Sequence, residues 1–120
     1  MANEITEQAT VSVSKSGGGS LAGSGTYQAD MTGNNVHSET YDVGTVEEEI
    51  DYGVDIGTPG GVMVKNLDAI NYIQIGFAAG VYVIRLMKGQ SCLFRPDSGT
   101  SLFVKANSAT VRIQLWAWQA

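Results

Sequence analysis

From Val62 onward, apolar and polar positions alternate in short runs: VMVKNL, AINYIQIGF, VYVIRLM, SCLFRP, SLFVKA and ATVRIQLWAW. Turn clusters separate them, among them Asn66-Leu67-Asp68, Lys88-Gly89-Gln90, Pro96-Asp97-Ser98-Gly99 and Asn107-Ser108. A period of two puts successive side chains on opposite faces of a strand. Short strands with turn signals at this spacing predict an all-β antiparallel sandwich or barrel, with the sandwich as the expectation. No stretch sustains an apolar i, i+3, i+4, i+7 pattern over three turns, so little or no helix is expected.

The alternation also predicts facing. Ile73, Ile75 and Phe77 form one set, and Tyr82, Ile84 and Leu86 another, with Val81, Val83 and Arg85 opposite. In the last run Ala109, Val111, Ile113, Leu115 and Ala117 make an inward row, which leaves Thr110, Arg112, Gln114, Trp116 and Trp118 outward. Two tryptophans therefore fall on a face that should meet water, as do Val81 and Val83. Two explanations stand: the acidic segment 27–56 folds over this face, or the face meets a partner, as exposed aromatic patches do.

The first half is less regular. Residues 1–8 are polar and read as an N-terminal arm, with Glu4 and Ile5 as candidate partner contacts. Thr10-Val11-Ser12-Val13 alternates like a strand. Ser16–Gly25 (SGGGSLAGSG) reads as a flexible linker or long loop. Residues 27–46 supply weak strands or a surface excursion. Ile50, Tyr52, Val54 and Ile56 share a face opposite Glu49, Asp51 and Asp55, and Thr58-Pro59-Gly60-Gly61 breaks the chain before the regular half. The reading is an arm over 1–8 and a single β-sandwich domain over 9–120, with its regular core at 62–118.

Charge is divided rather than merely negative. Residues 1–60 carry ten acids and one base, Lys15; residues 61–120 carry six bases and two acids, so net charges of −9 and +4 make up the total of −5. That split reads either as a solvated acidic segment, or as attraction between the halves within the fold or head-to-tail complementarity between copies. The bases lie singly along strands, which disfavours nucleic acid. The opening MANEITEQ lacks a basic n-region and an apolar h-region. The longest nearly apolar stretch, Phe77–Ile84, is far short of the ~20 residues that span a bilayer. A chain made in a reducing cytoplasm, with no membrane partner, is expected.

Catalytic and metal chemistry is sparse. The one histidine, His37, lies in a polar stretch and reads as a surface residue. The one cysteine, Cys92, lies in a strand-like run and reads as a small buried hydrophobe, and it excludes an internal disulfide. Glu47-Glu48-Glu49 with Asp51 and Asp55 lacks the glycine-punctuated loop of an EF-hand and reads as a solvated strand face. Gly17-Gly18-Gly19 is followed by no Gly-Lys-Ser/Thr, so it is no phosphate loop. No enzyme activity, cofactor or metal is expected.

The stretch Gly60–Gly76 (GGVMVKNLDAINYIQIG), the turn Arg85-Leu86-Met87-Lys88-Gly89-Gln90 and the final strand Val111–Trp116 (VRIQLW) resemble small virion proteins of tailed bacteriophages. In that family a V-x-V-x-N-L-D-x-x-N-x-x-x-I-G hairpin, an R-L-x-x-G-(E/Q) turn and a hydrophobic final strand recur. The resemblance covers residues 60–118. It implies a jelly-roll-like sandwich, a homo-oligomer (a trimer), and a place on the virion capsid surface after synthesis in the host cytoplasm. There it would act as a decoration (cement) protein bridging subunits of the major capsid protein. The alternative is a fibre- or tail-associated module recognising a host-surface glycan. Val81, Val83, Trp116, Trp118, Glu4 and Ile5 are the candidate oligomer or partner contacts.

Overall fold

The computed structural model describes residues 4–52, 55–97 and 100–120. Ten antiparallel strands and no helix are present among them: β1 Ile5–Ser14, β2 Ser20–Ala29, β3 Val36–Val43, β4 Glu48–Ile50, β5 Gly61–Asn66, β6 Ile73–Gly76, β7 Ile84–Leu86, β8 Ser91–Phe94, β9 Leu102–Ala106 and β10 Val111–Trp118. All-β architecture is as the alternation predicts. The chain divides into two compact units, Met1–Thr32 and Gly33–Ala120.

The second unit is the sandwich. One sheet has the order β3-β10-β5-β8 and the other β4-β9-β6-β7. The pairings are nested: β3 with β10, β4 with β9, β5 with β8, and β6 with β7. The chain is thus one long hairpin rolled up, and β10–β5 and β9–β6 pairing closes each sheet. It changes sheets at every connection except β6–β7. Eight strands so connected make a jelly roll.

The inward rows follow from register, because directly opposed residues share a face. In the first sheet they run Val43–Val111, Tyr41–Ile113–Asn66, Leu115–Val64–Cys92 and Ala117–Val62–Phe94. In the second they run Ile50–Leu102, Val104–Ile75–Ile84 and Ala106–Ile73–Leu86. The inward set expected for the last run is buried from Val111 to Ala117, and Ile50, Tyr52 and Ile56 join it; Val54 lies outside the described residues. Phe77 differs from expectation. β6 ends at Gly76, and Phe77 is more than one-third exposed, edge-on to Phe94 at 5.8 Å between ring centres.

One polar side chain is fully buried in these rows, Asn66. Its amide Nδ2 donates to the carbonyls of Asn71 at 3.0 Å and Leu86 at 3.1 Å, and its Oδ1 accepts from the Asp68 amide at 2.8 Å. The Asp68 carboxylate then accepts from the amides of Ile70 and Asn71 at 3.0 and 2.6 Å. These are the side-chain-to-backbone bonds expected of an Asx turn. The neighbouring turn closes with Gln90 N–H on the Met87 carbonyl at 3.0 Å, and Gly89 takes φ +75°, a conformation that favours glycine.

The first unit is a two-stranded ribbon in which β1 pairs β2 over ten rows, from Ile5–Ala29 to Ser14–Ser20. Two expectations change here. The boundary drawn at residue 8 falls inside β1, and the division lies after Thr32. Ser16–Gly25 is not a linker: it forms the turn, with Gly17 at φ +74°, and half of β2. Backbone pairing with β1 overrides a composition that, read alone, signals flexibility.

Replacing Asn66 by Ala would remove the donor from two carbonyls and the acceptor from one amide, the Leu86 bond being the buried one. A loss of about 2–4 kcal/mol is expected by chemical denaturation. A loss within the few tenths typical of exposed positions would show that these bonds do not hold the sandwich end.

Candidate functional site

The structure separates the residues that the sequence grouped. Trp116 and Trp118 lie on the outer face of the β3-β10-β5-β8 sheet, both half-buried. Val81 and Val83 lie just before β7, on the other sheet, and are 55% and 64% exposed. Ala78 and Val81 form an isolated bridge, and Val83 N–H donates to the Ile75 carbonyl at 2.9 Å. Ile5 is half-buried at the start of β1, and Glu4 is exposed before it. No single patch contains all six.

The tryptophan face has two ends of different character. Arg112 pairs with Asp42 at 3.0 Å. Beside that pair, Thr40 hydroxyl donates to Gln114 Oε1 at 2.6 Å and Gln114 Nε2 donates to Ser38 at 2.8 Å. Beyond Gln114 the face turns apolar. Register sets Trp116 beside Met63, Met63 beside Leu93, and Trp118 between Val36 and Gly61. The β3 portion of the acidic segment lies beside β10 in the same sheet rather than over its face.

Trp118 has an internal reason for its position. A Cβ built on Gly61 would collide with the Trp118 indole, so the ring rests on the bare glycine backbone. Its indole N–H is buried and finds no acceptor among the described residues. Gly60 N–H donates to the Trp118 carbonyl at 2.7 Å, fixing the strand end. Part of the aromatic surplus is therefore intramolecular packing.

The Val81–Val83 segment is held by Glu47. The carboxylate accepts from the Tyr82 hydroxyl and from Gly80 N–H at 2.7 Å. The Tyr82 bond, then the Gly80 bond, hold the Glu47 carboxyl below its ordinary value, with a smaller lowering from Lys105. The same bond pushes Tyr82 up to about 12, and the Lys105 ammonium sits 5.1 Å from the Tyr82 ring centre. With Asp42–Arg112, this places part of the complementarity between acidic and basic halves within the fold.

The sequence reading missed the ribbon. Register puts Ile5, Glu7, Ala9, Val11 and Val13 on one face with Ala29, Tyr27, Gly25, Gly23 and Leu21. The other face pairs Thr6, Gln8, Thr10, Ser12 and Ser14 with Gln28, Thr26, Ser24, Ala22 and Ser20. One face is apolar with a single charge, and the other holds hydroxyls and amides with one alanine. Val11, Val13, Leu21 and Tyr27 are each about half exposed. The signal was present as alternation from Ile5 to Ser14 and at every second residue from Leu21 to Tyr27, hidden by serine and glycine.

Chemically reactive groups are dispersed. His37 Nε2 donates to Glu39 Oε2 at 3.1 Å on edge strand β3. Cys92 packs against the core, and burial raises its thiol pKa, partly offset by a backbone bond from Val64. A cleft of about 510 Å³ lies against Glu49, Asp51, Tyr52, Thr58, Thr100 and Ser101, and neither His37 nor Cys92 lines it. Burial, then Glu49, push Tyr52 up to about 12. Among the described residues no group of three or more His, Cys, Asp or Glu could hold a metal ion.

Two outcomes are expected. Gly61→Ala should lift the Trp118 indole, red-shift tryptophan emission and cost about 1–3 kcal/mol; an unchanged spectrum would show that the ring does not need the bare backbone. Glu47, depressed below its ordinary value of 4.5, contributes stability that is complete above that value and is lost as pH falls through the folded pKa. Denaturation midpoints between about pH 6 and about pH 3 should therefore fall less steeply in Glu47→Gln than in the parent. Parallel curves would remove Glu47 from the acid response.

No family model matches the chain, no curated protein matches it, and no solved structure matches it. The functional reading therefore rests on the chain's own geometry and on the motifs in residues 60–118.

Proposed function

We propose that this chain is a structural virion protein of a tailed bacteriophage, a capsid decoration protein that bridges neighbouring subunits of the major capsid protein. It acts as a homo-oligomer, a trimer, on the capsid surface after synthesis in the host cytoplasm. The observation that carries this reading is surplus apolar surface beside a complete core. The inward rows of both sheets are filled, the Trp116–Met63–Leu93 row lies on the other face of its sheet, and the ribbon by itself carries one apolar face that is about half exposed. Such surfaces serve contact. The motif in residues 60–76, whose Asn66 and Asp68 bonds build a rigid corner, supports the family resemblance.

The mechanism is additive contact. Each apolar surface is small, but several on one oligomer act together, because the first contact raises the effective concentration of the rest. Val81, Val83, Trp116, Trp118, Glu4 and Ile5 are assigned to oligomer or coat contacts on this reading, with the two tryptophans contributing through Trp116 more than through the packed Trp118.

Mass spectrometry of purified virions tests it. Copy number comparable to the coat protein is expected, together with a lower particle melting temperature when the chain is absent. Absence from particles would overturn the role. A handful of copies per particle would replace it with the fibre- or tail-associated glycan-binding role, whose signature is a glycan-array signal lost in Trp116→Ala.

A further inference from the structure

The cleft beside β4 has two features that the sandwich itself does not need. It opens where the β4–β9 pair ends: Ile50 pairs with Leu102, and the next residues along, Asp51 and Ser101, both line the cleft. At about 510 Å³ it falls within the roughly 300–1,000 Å³ of small-ligand clefts. Glu49, Asp51 and Asp97 line it with carboxylates, and among the described residues no lysine, arginine or histidine does. The second feature is the Tyr52 hydroxyl. Tyr52 also lines the cleft and is only 9% exposed, and its hydroxyl is buried with no hydrogen-bond partner. A buried polar group left so is costly and marks a missing partner. We propose that this cleft is the seat for a guanidinium group, the side chain of an arginine presented by a partner protein. That the partner is the coat subunit rests on the virion reading above; the seat itself does not.

The balance of donors and acceptors selects the cation. Carboxylates only accept hydrogen bonds, so the occupant must bring donors, and a lining with three acids and no base favours a positive one. A sugar brings acceptors as well as donors, and carboxylates can use only the donors. A metal ion needs its ligands gathered at one point, and among the described residues no group of three or more His, Cys, Asp or Glu could hold one. An extended, planar cation meets dispersed acceptors better. The guanidinium carries five N–H donors in a fixed fork that pairs with carboxylates two bonds at a time. It is also more weakly hydrated than an ammonium, so entering a cleft walled by Tyr52 and Pro59 costs it less.

Tyr52 sets the inner end of the seat. Its ring belongs to the core cluster, and burial, then the Glu49 charge, push its hydroxyl up to about 12. The hydroxyl therefore stays neutral near pH 7, and its oxygen can accept an N–H while its proton turns toward Glu49. Water does not reach it in the free chain. The exposed carboxylates draw the cation in, and the hydroxyl is met as the Glu49 side chain moves onto the guanidinium. Thr58, Thr100 and Ser101 put hydroxyls on the same cleft for the remaining N–H groups.

A nuclear magnetic resonance titration of the full chain with N-acetyl-arginine amide tests the seat. Saturable shifts are expected at residues 49–52 and 100–102, with a Kd on the order of millimolar for so small a group, rising as salt is added. Glu49→Gln should weaken binding about tenfold, the loss of one charge-assisted bond. Glu39→Gln makes the same change of net charge outside the cleft and should not. Tyr52→Phe should bind about fivefold more weakly yet unfold at the same denaturant midpoint or a higher one, because a partnerless hydroxyl has gone. A lowered midpoint would make that hydroxyl a structural group and overturn the site. Equal binding of N-acetyl-citrulline amide, which keeps the shape without the charge, would also overturn it, as would a monosaccharide that binds as well. Arginine binding by a chain absent from virions would overturn the virion role and leave the cleft. No binding by a chain abundant in virions would overturn the cleft alone.

Discussion

A single buried amide governs one end of the sandwich. Asn66 ends β5 in one sheet, while its side chain reaches the Leu86 carbonyl at the end of β7 in the other. It also holds the loop that leads to β6, and its own backbone exchanges bonds with Gln90 and Gly89 in the turn before β8. Four strands thus meet through one residue. A buried amide is costly unless satisfied, so the geometry of both connections, β5–β6 and β7–β8, is dictated together. That corner ties the end of β5 to the end of β7 and to the turn before β8.

The rolled-hairpin topology has a consequence for charge and contact. Nested pairing brings early strands against late ones, so acidic β3 and the segment before β4 lie beside basic partners from β10, β9 and the Tyr82 region. Asp42 meets Arg112, and Glu47 meets Tyr82 near Lys105. Electrostatic asymmetry that could have joined one copy to another is partly neutralised inside each sandwich. Apart from those contacts, apolar side chains lie in the row beside Trp116 and on one face of the ribbon.

Legibility varied with the locality of the cause. The facing of β10, the turn at Asn66–Asp68 and the Gly89 turn were readable, because side-chain period and turn chemistry are properties of a few consecutive residues. Phe77 was misplaced for a tertiary reason: Gly76 is where the backbone of Val81 comes too close for any Cβ, and β6 stops there. The ribbon was missed because its glycines and serines imitate a linker, and only pairing with β1 shows that they occupy rows.

The sequence by itself determined which side chains turn inward along β10 and β6, where the turns of the regular half fall and that no helix is required. All of these are set by neighbours along the chain. Tertiary structure alone decided which sheet each strand joins, and so that Val81 and Val83 lie on a different sheet from Trp116 and Trp118. It also decided that Gly61 lies under Trp118 and that residues 5–29 form a two-faced ribbon. These depend on which distant strand supplies the hydrogen bonds, and alternation reads the same whichever strand that is.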